Sequence, residues 1–206
     1  MKRTGLIRLG GVVAMVGGLA ATTLGLLYVL QARGITLDFT AKALQKGHYE
    51  NPTLNILEVG VLAAISSLHI IQRERYGSSG RLTAVAAFAG VAMVVVGNLA
   101  GELIPAMTPV AIMLLIGGVL AASLGIVGLG VATISAGVLP GWCGAALIAG
   151  SPPGVGIVFM LSSLFVMARI LPGEIGWALA GIPWALVGFA IFRAGVHQAE
   201  QPSLVR

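Results

Sequence analysis

Long apolar runs separated by short polar segments dominate the pattern of the chain. Six runs are long enough to predict helices, with approximate bounds at 9–30, 53–71, 82–104, 110–134, 142–168 and 175–192. About 20 apolar residues in a helix cross the hydrocarbon core of a bilayer. We therefore predict one all-α transmembrane domain over residues 1–206, a polytopic bundle of six helices.

The fifth run is longer than one span and contains the sequence Ser151-Pro152-Pro153. Two consecutive prolines remove two backbone donors and disfavour a helix through Ser151. One alternative is a fifth helix that begins at Pro153, behind a short interfacial or re-entrant piece over 142–150. The other is a broken helix over 142–168 that crosses the membrane.

The composition supports a lipid-embedded protein. Hydrophobic residues make up 57% of the chain and charged residues 9%, whereas an ordinary soluble domain carries roughly 25% charged residues. Too few charged side chains remain to cover a soluble surface, which excludes a soluble enzyme and a nucleic-acid-binding domain. We expect the lipid bilayer as the principal partner and no nucleic acid.

The positions of the basic residues predict the orientation. If the N-terminus is cytoplasmic, eight Lys and Arg residues lie on the inside and four on the outside. Because cytoplasmic loops carry an excess of Lys and Arg, this favours a multi-pass protein of the cytoplasmic (inner) membrane with both termini inside (N-in/C-in).

An internal similarity indicates a possible inverted 3+3 repeat. The stretch over 16–27 resembles that over 116–127 at an offset of 100, and the same offset relates Pro52 to Pro152. Both stretches carry small residues at four-residue spacing, which are Gly17, Ala21 and Gly25 in the first and Gly117, Ala121 and Gly125 in the second. Such faces predict close helix packing, either inside the bundle or against other membrane subunits.

A polar stripe on the second helix holds most of the candidate site residues. At 100° per residue, Asn55, Glu58, Ser66 and His69 project within about 80° of one another. The third helix carries Asn98 and Glu102 on one face. At 1.5 Å per residue, Glu58 and Asn98 lie at similar depths, about 7 to 9 Å from the outer helix ends. The depths predict Glu58 beside Asn98, and Asn55 beside Glu102.

Two interpretations of this pairing remain open. A carboxyl and a carboxamide can form an interhelical hydrogen-bonded clasp that only stabilises the bundle. Alternatively, Glu58 titrates in a proton- or cation-binding site that opens to the outer face, with Asn98 orienting it. A charge at the bilayer centre costs at least about 2.5 to 3.5 kcal/mol, so each intramembrane carboxyl calls for a partner, a cavity or neutralisation.

The sequence contains no catalytic signature for a membrane protease or a phospholipid synthase. The single Cys143 cannot form a CxxC pair, and no histidine pair is spaced to ligate a haem. We therefore expect no enzymatic activity, no cofactor and no metal site.

The last third of the chain resembles small, mostly six-helix bacterial and archaeal membrane proteins of unknown function. In that group an LPxW turn introduces the penultimate helix and a W-x-x-x-G pattern lies in the last one. Leu139, Pro140, Trp142, Trp184 and Gly188 match these motifs. The resemblance implies fold and class only. The leading functional interpretation is therefore passage or binding of a small solute or ion through the bundle, and the alternative is a non-catalytic accessory or assembly subunit of a larger membrane complex.

Overall fold

Helices form nearly all of the described part of the protein. The computed structural model describes residues 2–32, 52–167 and 175–200, and 92% of these are helical, with no strand among them. The seven α-helices are α1 (Lys2–Ala32), α2 (Pro52–Gln72), α3 (Gly77–Leu103), α4 (Thr108–Ala136), α5 (Gly141–Ala149), α6 (Pro152–Met167) and α7 (Ile175–Glu200). A short 3-10 helix, Pro105–Met107, lies between α3 and α4.

Several helices extend past the apolar runs that predicted them. Helix α1 begins at Lys2 and α7 ends at Glu200, each about two turns beyond its run. Basic side chains occupy these extensions, and those of α1 hydrogen-bond neighbouring backbone; Arg8 Nε, for example, donates to the Gly195 carbonyl at 3.3 Å. The pattern of apolar residues marks where a helix can lie in lipid, whereas backbone hydrogen bonds carry the helix further.

Proline and glycine set the main helix ends. Ile104, which precedes Pro105, has the non-helical angles φ −136° and ψ 86°, because the proline ring disfavours a helical conformation in the residue before it. At the far end of α4, Gly137 adopts the left-handed conformation with φ 62°, where a residue without a Cβ is not strained.

The fifth apolar run forms two helices, α5 and α6, a division that both alternatives of the sequence analysis allow. Ser151 separates them, and its Oγ accepts a hydrogen bond from the Gly154 amide at 3.3 Å, capping the first turn of α6. Pro152 occupies the first position of α6, one residue before the predicted start, where the missing N–H costs no helical hydrogen bond.

Glycines at seven-residue spacing bring α1 and α7 into close antiparallel contact. Gly11 lies against Gly188, and Gly18 lies against Gly181. A Cβ at Gly18 would come within 2.4 Å of the Ala185 nitrogen, so only a residue without a side chain fits. We call this contact the α1–α7 seam. A second face of α1 packs on α2, where Gly10 lies against Ser67.

Helices α3 and α4 form a second antiparallel pair of the same kind. Gly90 lies against the backbone of Gly118 and Ala122, and Gly125 lies against that of Ala87. Small residues at these positions let the two backbones approach without a hydrophobic driving force, as helices do in lipid. Most glycines of the two predicted small-residue faces therefore pack inside the chain.

Apolar side chains cover the outside of the bundle. Leu82 on α3 is 71% exposed and Leu124 on α4 is 78% exposed, whereas Leu68 and Leu129 are fully buried. Among the described residues, three helices, α1, α3 and α4, are long and apolar enough to cross a membrane. These features are consistent with a membrane protein.

Candidate functional site

Glu58 on α2 and Asn98 on α3 form a direct hydrogen bond between the two helices. Asn98 Nδ2 donates to Glu58 Oε1 at 3.0 Å, and both side chains are partly buried. Helices α2 and α3 are antiparallel, and at the end away from the turn Glu58 lies six residues after the start of α2 at Pro52 and Asn98 five residues before the end of α3 at Leu103. Of the two predicted pairs, the structure therefore brings together Glu58 and Asn98.

The arrangement holds the carboxyl group in one orientation. The carboxamide of Asn98 carries no charge. Its Nδ2–H group donates to Glu58 Oε1, and this oxygen can accept the hydrogen bond in both the ionised and the neutral form of the carboxyl group. Less than 1 Å² of Glu58 Oε2 is accessible at the surface. Chemically, the pair can hold a proton or present a carboxylate to a small cation.

The second predicted pair, Asn55 and Glu102, lies outside the part of the structure in which side chains are described. The backbone of Asn55 belongs to the first turn of α2, and that of Glu102 to the last turn of α3. Their pairing therefore stays a prediction. Ser66, another member of the polar stripe, donates from Oγ to the Leu62 carbonyl of its own helix at 2.8 Å.

His69 lies at the opposite end of α2 and pairs with a residue that the sequence analysis did not single out. Its Nδ1 and the Tyr76 hydroxyl share a hydrogen bond of 2.8 Å, and the ring centroids are 6.1 Å apart. Burial raises the pKa of Tyr76 to about 12, partly opposed by the charge of Arg81, so the phenol keeps its proton at neutral pH. The signal available in the sequence was the spacing of His69 and Tyr76 on either side of a tight turn.

A basic end forms where α1 begins and α2 finishes. Arg3 Nη2 donates to the Ile70 carbonyl at 2.6 Å, and Arg81 Nη2 donates to the Arg73 carbonyl at 3.3 Å. The exposed Glu74 carboxylate lies 4.0 Å from Arg3 and 3.8 Å from Arg73. The Glu58–Asn98 pair lies toward the other end of the bundle, so His69 and Glu58 do not belong to one site.

Two buried polar side chains were not predicted from the sequence. Gln72 and Thr133 are both 0% exposed, and neither the Gln72 amide nor Thr133 Oγ1 makes a hydrogen bond with the described part of the chain. By contrast, the buried indole of Trp184 donates to the Gly150 carbonyl at 2.9 Å, which ties α7 to the end of α5. Apolar runs hide such residues, because one polar position does not interrupt the pattern.

Within residues 2–32, 52–167 and 175–200, no group of three or more His, Cys, Asp and Glu side chains is placed to hold a metal ion. Comparisons of the chain with family models, with curated proteins and with solved structures found no match.

Proposed function

We propose that the protein binds or passes a small cation or proton through its helical bundle, with Glu58 as the binding group and Asn98 as its orienting partner. The hydrogen bond between these two side chains, in largely apolar helices, is the observation that carries the proposal. Ionisable residues inside membrane helices are rare and tend to mark ion or proton pathways.

The energies favour a Glu58 carboxyl group that is neutralised by a bound proton or cation. One interhelical hydrogen bond in a membrane is worth about 0.6 to 2 kcal/mol, while a charge at the bilayer centre costs at least about 2.5 to 3.5 kcal/mol. The neutral donor of Asn98 does not neutralise a carboxylate. A bound proton or cation does so, which makes occupancy of Glu58 the natural state in lipid.

The proposal includes a cytoplasmic-membrane protein with six crossing helices, α1, α2, α3, α4, α6 and α7. Both termini are then cytoplasmic, because the basic residues of α1, of the turn after α2 and of the end of α7 gather at one end, in line with the positive-inside rule. Glu58 accordingly lies in the outer half of the bundle.

An inverted 3+3 repeat is part of the same proposal. The packing of two glycines at the offset of 100 supports it. Gly18 in the first half packs on α7 of the second half, and Gly118 in the second half packs on α3 of the first half. Position 158, related to Glu58 by that offset, is valine. The proposed site therefore belongs to the first half alone.

The alternative of an accessory subunit needs a small-residue face that is free to dock other helices. Gly17 lies against Gly60, and Gly125 against Ala87, inside the chain. Both glycines belong to the faces that motivated this alternative. Their internal use favours the stand-alone role, and a stoichiometric partner recovered from native membranes in mild detergent would reverse that preference.

A flux measurement tests the role of Glu58. Purified protein is reconstituted into vesicles that contain a pH-sensitive dye, and dye response is followed after a pH or cation gradient is imposed. We expect Glu58→Gln, which keeps the size of the side chain, to abolish the flux. The matched control is Glu74→Gln, which removes an exposed carboxylate at the basic end and should leave the flux intact. Flux unchanged in Glu58→Gln would contradict the proposal.

A further inference from the structure

A cavity at the basic end lies between the end of α2, the α4–α5 connection and the C-terminal part of α7. Its volume is about 400 Å³, within the usual range for ligand pockets. Apolar side chains, among them Ile71, Leu139 and Phe189, form its walls, while Arg193 and His197 lie at one side. We call it the basic groove.

The polar groups of the basic groove suit an anion. The Arg193 side chain is exposed and makes no hydrogen bond or ion pair with the described residues. Pro140 and Trp142 bring the start of α5 to the same cavity. No side chain caps that helix start, and a Cβ at Gly141 would meet nothing within 4 Å. The first amides of a helix and its dipole favour an anion, as does a guanidinium.

An exposed apolar stripe continues from Arg193 along α7. Phe189, Leu186 and Ile182 are between 42% and 48% exposed, and at 100° per residue they share one helix face with Arg193. Leu186 and Ile182 also line a second furrow of about 310 Å³, together with Met15 and Leu19 of α1. The apolar path from the basic groove is therefore bordered by a second helix.

The length of this stripe matches half a bilayer. From Arg193 to Ile182 the helix rises by about 16 Å, at 1.5 Å per residue, and one leaflet provides roughly half of the 30 Å hydrocarbon core. A molecule with a phosphate at Arg193 and an acyl chain along Phe189 and Leu186 would fit both the charge and the depth. Trp142, which is 44% exposed, lies beside the phosphate position, a level at which tryptophan is enriched.

We propose that the basic groove binds one anionic phospholipid of the surrounding leaflet, with its phosphate between Arg193 and the start of α5 and an acyl chain on the stripe of α7. The proposal rests on the embedding of the bundle in a membrane but not on Glu58. A flux measurement that contradicts the ion-binding proposal would therefore not contradict lipid binding. A protein that does not bind the lipid would likewise not contradict the flux prediction.

Quenching of tryptophan fluorescence by brominated lipids tests the proposal. The intact protein in detergent is titrated with phosphatidylglycerol or with phosphatidylcholine, each brominated on the acyl chains. We expect saturable quenching by phosphatidylglycerol at lower lipid concentrations than by phosphatidylcholine. The saturable part should disappear in Trp142→Phe, because this quenching acts only at short range.

Variants of Arg193 and of Arg75 distinguish a specific binding site from a general effect of surface charge. Arg193→Gln should weaken phosphatidylglycerol binding at least about fivefold, the change expected for one basic residue near anionic lipid, and Arg193→Lys should restore part of it. The matched control is Arg75→Gln, which removes the same charge from the exposed turn at this end. Thermal unfolding checks that each variant is folded.

Three outcomes would overturn the proposal. Equal losses in Arg193→Gln and Arg75→Gln would mean diffuse attraction to the basic end. Equal quenching by the two lipids would remove the role of the phosphate charge. Displacement of the brominated lipid by millimolar glycerol phosphate would assign the groove to a soluble anion.

Discussion

The α1–α7 seam predicts that a single methyl group at Gly18 destabilises the protein. In Gly18→Ala, the new Cβ would lie 2.4 Å from the Ala185 nitrogen and 2.7 Å from the Gly181 carbonyl oxygen, whereas ordinary contacts begin near 3.4 Å. These are backbone atoms, so no side chain can rotate away. The two helices have to separate locally by about 1 Å, which removes a quarter to a half of the dispersion energy of each contact.

A second glycine on the same helix isolates this cost. Gly5 lies on α1 with nothing within 4 Å of its Cβ position, so Gly5→Ala changes helix propensity without a clash. Alanine favours a helix over glycine by about 1 kcal/mol in both variants, and this contribution cancels in the comparison. Overpacking typically costs about 1 to 3 kcal/mol. We expect Gly18→Ala to be less stable than Gly5→Ala by that amount.

The assay is reversible unfolding in mixed micelles with increasing dodecyl sulfate, followed by far-ultraviolet circular dichroism. A third variant, Gly18→Ala combined with Ala185→Gly, should not recover the loss, because the clash involves the Ala185 backbone and not its methyl group. Equal stability of Gly18→Ala and Gly5→Ala would refute the close approach, and recovery in the double variant would refute its assignment to backbone atoms.

Three other predictions follow from polar groups. A double-mutant cycle of Glu58→Leu and Asn98→Leu should give a coupling free energy of about 0.6 to 2 kcal/mol in the unfolding assay; additive effects would mean that the hydrogen bond does not form. Gln72→Met should raise the midpoint of thermal unfolding, since an apolar side chain of similar shape replaces a buried amide that has no hydrogen-bond partner among the described residues; a lower midpoint would contradict this. One tyrosine should titrate near pH 12 in the folded protein by ultraviolet absorbance and be missing in Tyr76→Phe. Because the pKa of Tyr76 is higher when folded than the usual value of 10, wild type should lose stability between pH 10 and about 12 relative to Tyr76→Phe, and parallel stability curves would exclude the shift.

Hydrophobic periodicity predicted the all-α class and approximate positions for the helices, because lipid demands apolar runs of a fixed length. It left the region around Pro152 open, and the structure divides that region into α5 and α6. It also ended α7 too early, since Arg193 and His197 continue the helix although they interrupt the apolar pattern. Run length reports where a helix meets lipid, not where its backbone hydrogen bonds stop.

Within the candidate site, antiparallel geometry was enough to predict Glu58 beside Asn98, because depth along two neighbouring helices can be counted residue by residue. The contact between His69 and Tyr76 could not be found that way, since it depends on how the turn between the helices folds back. The pairing of Gly18 with Gly181 was missed as well. Four-residue spacing drew attention to Gly17, whereas the seam of α1 with α7 follows a seven-residue spacing.

The pairing of α1 with α7 has a consequence for biosynthesis. The first helix made finds its main partner only after the intervening chain up to Ile175 has been translated, a delay of roughly 7 to 30 s at 5 to 20 residues per second. Helix α2 emerges earlier and covers the Gly10 face, but the Gly11 and Gly18 face has to wait for its partner helix. During that interval a nascent chain offers the same glycine surface to any other helix nearby, so ribosome-bound intermediates are the stage at which misassembly with a neighbour competes with folding.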